Sequence, residues 1–340
     1  MDDTVPRATD NLPDPKRQKR TPTSAQPPTI PRVTEIDVRK TLPLHAAWIA
    51  GVTLTVVTFK TYREAYGIHA FGLDAHAYWM AWQGQWRTEM YDLVPGMVDA
   101  FNYSPAFALL IWPWAQLPWP VAFVLWTAAC IAGLTWLIRP LGWKYVPPLL
   151  LFAVQEIVSG NIFWVLAIVA VLGTTGRSSW RAAAWSVAAL TKLTPALGPV
   201  WFLFRGEWLK LAAAAVSTFL IVGASYLVVP DLWHQWASFL LDNEASGERV
   251  GHPLFPPLAV RLPLGLVLLA WGARTNRIWT LPVAMVLATP VAGVASFMML
   301  YAIPRLMADT ADTAGAAPDT EAPGEPVTGS GRGDHLDQKL

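Results

Sequence analysis

The sequence predicts an all-α fold, a polytopic transmembrane helix bundle, on three observations. Of 340 residues, 54% are hydrophobic and only 14% charged, where a soluble domain carries about 25% charged residues. The deficit is concentrated between Leu42 and Arg305, where apolar runs follow one another with short gaps. Many of those runs are broken by proline, which membrane helices tolerate where neighbouring helices or a water-filled cavity satisfy the loosened backbone. A net charge of +1, with no basic stripe interleaved with aromatics, gives no footprint for nucleic acid. The single cysteine, Cys130, sits in an apolar run, which excludes an internal disulfide and a cysteine-based metal site.

In chain order, residues 1–41 read as a disordered cytoplasmic tail. They are rich in Pro, Thr, Asp and Lys and carry the basic cluster "PKRQKR" at 15–20. No short apolar core follows that cluster, so it does not read as a secretory signal. With Arg32, Arg39 and Lys40 it favours an internal N-terminus. The membrane domain, 42–305, contains nine apolar segments: 42–59, 105–117, 120–138, 146–158, 161–174, 181–204, 209–229, 256–272 and 280–303. Several are shorter than the ~20 residues of a full span. Residues 306–340 are acidic and rich in Gly, Ala and Pro, and read as a second disordered tail.

Two gaps are long enough to hold structured loops, 60–104 and 230–255. With the N-terminus inside, the first is extracytoplasmic, and nine simple crossings put the second on the same side. Arg139 with Lys144, and Arg177 with Arg181, then fall outside, against the usual bias. Breaking 181–204 into half-passes at "TKLTP" (191–195) and merging 146–174 into one crossing moves Arg177 and Arg181 inside. That alternative also brings Lys192 near the outer face, and the two topologies stay open.

The first gap opens with "FGLDAHAYWMAWQGQW" (71–86), an acid and a histidine among rings at a membrane edge. Asp74 is either the cap of a short interfacial helix or a general base for a hydroxyl proton. Tyr78, Trp79 and Trp82 beside it suit the flat face of a sugar. His76 joins them as polar lining, since an Asp-x-His pair without further ligands is a weak metal motif. His69, His234 and His252 read as polar lining of the two gaps, and His45 and His335 take no role. In "FNYSPAF" (101–107), Pro105 starts a helix whose positive end faces the outer cavity.

Lys192, inside an apolar segment, costs about 2.5–3.5 kcal/mol on insertion scales, so it needs a cavity or a partner. It is either a snorkelling cation or the counter-charge of a lipid phosphate. Gln155 and Glu156 are polar in the same costly way, and Arg63, Arg87 and Arg249 are loop cations suited to a phosphate. A transporter for a lipid-linked sugar would use similar groups without a base, but no inverted pair of broken segments is visible. A scaffold would rest on the charged tails alone.

A first-loop aspartate among aromatics, Tyr103-x-Pro105, a Gly160-Asn161 break, "ALTKLTPAL" and "RGEWLKLAAAA" occur in that order. In this the chain resembles glycosyltransferase family 87, integral membrane enzymes of the GT-C class, over roughly residues 42–305. The resemblance implies a GT-C-like bundle with its active site outside the cell membrane. It also implies a polyprenyl-phosphate mannose or arabinofuranose donor and a glycolipid or glycan acceptor. It makes Asp74 the catalytic base, lines the site with the Tyr103–Pro105 turn, and sets Lys192 and Pro195 beside the donor lipid. His76, Tyr78, Trp79, Gln155 and Asn161 complete the expected substrate-binding set. Where members carry Gly-Gln and then Asn, this chain has "SGNIF" with Gln155 upstream. A leaving polyprenyl phosphate needs cations rather than a proton, so neither cofactor nor metal is required.

Overall fold

The computed structural model describes residues 38–315, except 68–70, 85–88, 94, 96, 177, 193–195, 247–255 and 291–292. The expected tails therefore lie largely outside the described residues, as do His69, Arg87, Pro195, Arg249, His252 and His335. Residues 1–42 and 43–340 form separate units, and only the start of the first helix, from residue 38, is described in the former. Among the described residues every regular element is a helix.

α1 (Val38–Tyr66) leads into the eight-residue α2 (Leu73–Met80). α3 (Pro105–Ala115) begins with proline at its first position, where the missing N–H costs nothing. Ser104 caps it by accepting the Phe107 N–H at 3.3 Å. α4 (Trp119–Ile138) enters through Pro118 and Pro120. α5 (Val146–Phe152), α6 (Val154–Ser159) and α7 (Phe163–Thr174) follow as broken pieces. A short 3-10 turn (Ser179–Ala184) precedes α8 (Trp185–Thr191) and α9 (Gly198–Arg205). α10 (Trp208–Val228), α11 (Pro230–Ser246), α12 (Leu258–Arg274) and α13 (Thr280–Ala288) come next. A 3-10 segment, Val294–Tyr301, joins the last to α14 (Ala302–Gly315).

Among the described residues three stretches are helices long and apolar enough to cross a membrane: Leu42–Tyr66, Trp119–Leu141 and Trp208–Val228. The first and last have only 11% of their apolar window covered by the rest of the protein. Their exposed faces need hydrocarbon as their solvent. The segment 146–158 divides at Ala153. The segment 181–204 divides between Thr191 and Gly198, at "TKLTP". The run 280–303 divides after Ala288. α14 extends to Gly315, ten residues into the expected tail. The second gap supplies α11, and Phe239 from it packs 5.7 Å from Tyr91.

The core lies among α4, α7, α8, α9, α12 and α13, around Leu134, Leu166, Trp185, Phe202, Leu269 and Met285, all buried. Trp185 fills space that a side chain would need at both Gly173 and Gly198. A buried cation closes the far side. Arg261 donates to the carbonyls of Pro256, Leu287, Thr289 and Pro290 at 2.7–3.1 Å, pinning α12 to the end of α13. A second, aromatic cluster of Tyr78, Tyr91, Phe101, Tyr103 and Phe107 sits under α2 and α3.

Candidate active site

α2 hangs from α6. The Gly72 N–H donates to Val158 O at 2.7 Å, and Gly72 has φ 77°, with the Trp119 ring where a Cβ would stand. A residue other than glycine meets both a left-handed backbone and that ring. Gly160, φ 69°, ends α6 in the same way, and its absent Cβ would lie 2.5 Å from that of Ala75 on α2. The two glycines bring α2 against the α6–α7 break. Asp74 is thereby placed beside Asn161.

Asn161 Nδ2 donates to Asp74 Oδ2 at 3.0 Å, and its Oδ1 accepts from Lys192 Nζ at 3.4 Å. The same Oδ1 accepts the Ile162 N–H at 2.7 Å, which fixes the amide's orientation. One amide therefore separates a carboxylate from an ammonium. Lys192 follows the last turn of α8 in extended backbone, and its Nζ lies 3.6 Å from the Phe163 ring centroid and 5.8 Å from that of Tyr103. Ser104, besides capping α3, donates to Leu190 O at 2.5 Å. That bond ties the Tyr103–Pro105 turn to the end of α8 beside Lys192.

Glu156 is fully buried, with Oε1 accepting the Trp164 N–H at 2.9 Å at the start of α7. Its Oε2 has no protein partner among the described residues. It shares a field with Asp74 and Lys192, so two acids and one cation sit together. α2 lies outside the three spans. There burial pushes the Asp74 carboxyl above the usual range, against the opposing pull of Lys192, Ser159 and Asn161. Tyr78, one helical turn after Asp74 and on its face, shares a 2.9 Å hydroxyl–hydroxyl bond with Tyr103.

The other expected residues go elsewhere. His76 Nδ1 meets Asp99 Oδ1 at 2.5 Å, and its ring stands edge-on to Trp119 at 4.7 Å. Trp79 donates its indole N–H to Leu117 O at 2.8 Å. Both lie on the face of α2 turned away from Asn161, because positions two apart in a helix point to different sides. Gln155 donates to Tyr62 Oη at 2.9 Å, joining α6 to α1. Tyr62 is in turn close enough to feel the charge of Asp74. His234 meets Tyr226 at 3.2 Å, on α11 and α10. Among the described residues no group of three His, Cys, Asp or Glu could hold a metal ion.

Sequence reasoning missed Asp99 and underrated Glu156. Asp99 adopts φ 65°, a left-handed conformation that its flanking residues do not announce. Glu156 did carry a signal, a lone acid in an apolar run.

Two spaces adjoin the site. A cavity of about 1010 Å³ lies at the end of α1, lined by Phe59, Lys60, Tyr62, Arg63, Glu64, Gly67, Phe71 and Val158. An apolar groove of about 400 Å³ runs between α3, α8 and α10, along Phe107, Leu110, Leu190, Thr191 and Ile221. The profile of glycosyltransferase family 87 matches residues 101–317, which include Tyr103, Pro105, Gln155, Asn161 and Lys192 but not Asp74. Searches against curated proteins and against solved structures find no match.

Proposed function

The chain belongs to glycosyltransferase family 87, and on that premise we propose that it transfers mannose or arabinofuranose from a polyprenyl phosphate to a cell-envelope glycolipid or glycan hydroxyl. The observation that carries this reading is the Asp74–Asn161–Lys192 chain. A carboxylate and an ammonium stand close together, yet the intervening amide keeps them from neutralising each other directly. The acceptor hydroxyl gives its proton to Asp74 while its oxygen attacks the anomeric carbon. The bond to the phosphate oxygen breaks as the new one forms, and the phosphate leaves with the electron pair. Configuration inverts in this single displacement.

Lys192 balances the charge that the phosphate gains, where low dielectric makes such stabilisation strong. A carboxyl pushed upward by burial is a better proton acceptor than a solvated one. Tyr78 and Tyr103, buried and joined through their hydroxyls, form the wall beside Asp74 that shapes the sugar site. The groove between α3, α8 and α10 begins at Thr191, beside Lys192, and its apolar walls suit the polyprenyl chain. The transferring site opens to the extracytoplasmic face of a multi-pass membrane protein.

The test is transfer in membranes from cells expressing wild type or Asp74→Asn, with radiolabelled polyprenyl-phosphate mannose and arabinose supplied separately. Transfer by wild type that collapses in the variant, at equal protein level, is the expected result and names the donor. Equal transfer by both would remove Asp74 as the base.

A further inference from the structure

The displacement leaves one buried acid of the site without a task. Glu156 brackets the break between α6 and α7 with both its backbone and its side chain. Its carbonyl accepts the N–H of Gly160 at 2.9 Å and that of Asn161 at 3.3 Å. Its Oε1 accepts the Trp164 N–H at 2.9 Å, on the far side of the break. Of the residues held between, Asn161 and Phe163 both meet Lys192, the amide oxygen at 3.4 Å and the ring centroid at 3.6 Å from Nζ. The ammonium therefore rests on a turn that Glu156 clamps.

Oε1 alone would make Glu156 a cap for α7, whose own N-cap residue, Ile162, offers no side-chain acceptor. A neutral amide would serve that purpose equally. A carboxylate at a fully buried position is costly unless an opposite charge repays its lost hydration. Oε2 has no hydrogen-bond partner among the described residues, and the cation that acts on Glu156 is Lys192. Around the pair stand Tyr62 on α1, Asp74 and Tyr78 on α2, Tyr103, and Cys130 on α4. Tyr301, on the segment packed against α6, gives its hydroxyl to Leu149 O at 2.7 Å. The phenols and the thiol are uncharged in their ordinary form near neutral pH. Asp74 is the remaining anion, and a base cannot be a standing counter-charge. It loses its charge in every turnover, when it takes the acceptor's proton.

We propose that Glu156 is a positioning residue for the transfer: its carboxylate is the standing counter-charge that keeps Lys192 an ammonium while Asp74 gains and loses its proton, and its bonds across the α6–α7 break hold the turn on which that ammonium rests. The inference rests on the transferase reading above, which supplies the roles of Asp74 and of the leaving phosphate. Glu156 acts through Lys192 and makes or breaks no bond of the displacement. An ammonium held over rings and away from water keeps its proton only near negative charge, so the benefit falls on the alkaline side of the pH range.

The test uses the full chain with two substitutions at this position. Glu156→Gln keeps an acceptor for the Trp164 N–H and removes the charge, whereas Glu156→Asp keeps the charge. Lys192→Met and the double variant Glu156→Gln/Lys192→Met complete a cycle. Transfer is followed as a pH–rate profile at saturating acceptor, and stability as the midpoint of thermal unfolding in detergent. Without the carboxylate Lys192 gives up its proton more readily. The alkaline fall in rate should therefore begin at least about one pH unit lower in Glu156→Gln, an approximately tenfold loss on that side. Glu156→Asp should return it toward the wild type. In the cycle the double variant should lose at least about 2 °C less than the two single losses combined. An unmoved alkaline limb in Glu156→Gln would overturn the proposal and leave the residue as a cap of α7. Losses that simply add in the cycle would overturn it whether or not transfer is detected. Because the cycle needs no transfer, a failure of the base reading, seen as equal transfer by wild type and Asp74→Asn, is distinguishable from a failure here.

Discussion

The two faces of α2 carry similar residues to different ends. Toward α6, Asp74 and Tyr78 meet Asn161 and Tyr103, and the polar atoms there are shared with a cation and a second buried acid. Toward α4, His76 and Trp79 meet Asp99, Trp119 and Leu117, and the His76 Nδ1 and the Trp79 indole N–H are used to anchor loops. Both faces combine an acid, a ring system and a histidine or lysine. What separates them is the partner set: one side holds two buried acids beside a cation, with Glu156 Oε2 unpartnered among the described residues, and the other ties loops together. A polar cluster at a membrane edge is therefore a candidate for chemistry only once its hydrogen bonds are accounted for.

Substitutions break or sharpen that contrast. Asp74→Asn has the largest expected effect, a loss of about 10²–10⁴ in transfer rate. Lys192→Gln follows, with about a 10²-fold fall in kcat, because one stabiliser of the leaving phosphate is gone. Initial-rate measurements with saturating acceptor check both. Transfer should fall with acidification as Asp74 takes up a proton, since only the carboxylate accepts one from the acceptor. Because burial raises its pKa, the midpoint lies above the ~3.9 of a free aspartate, as a pH–rate profile would show.

Gly160→Ala forces a side chain into a left-handed residue and against Ala75, and should destabilise by about 1–3 kcal/mol. Thermal unfolding in detergent reads that loss. The smallest effect belongs to the other face. Trp79→Phe removes one indole hydrogen bond, about 1 kcal/mol of stability, and should cut transfer less than tenfold. A His76→Ala or Trp79→Phe protein as inactive as Asp74→Asn would erase the contrast.

The helical class and the membrane character were legible because apolar content and run length report directly on the solvent a helix faces. The breaks were less so. A run such as 146–158 reads as one segment, yet Pro147, Pro148 and the turn at Ala153 divide it. In 181–204 the lysine and proline of "TKLTP" did mark the division. Asp74, Asn161 and Lys192 stand out as polar residues where polarity is costly, and the structure brings them together. His76 and Trp79 looked equivalent to Tyr78 because a row of letters does not show which side of a two-turn helix is already occupied. Asp99 was silent, since its role depends on a backbone conformation and a partner 23 residues away.

The spacing of the Asp74–Asn161–Lys192 chain also sets an order of assembly during synthesis. Asn161 is made 87 residues after Asp74, and Lys192 another 31 later. At roughly 5–20 residues per second, the acid waits on the order of 5–20 s for its cation. For the first part of that interval α2 has no α6 to lie against, because Val154–Ser159 is not yet made. A truncated chain ending before Lys192 would carry Asp74 without its counter-charge. The polar chain of Asp74, Asn161 and Lys192 is therefore complete only when more than half of the chain has been made.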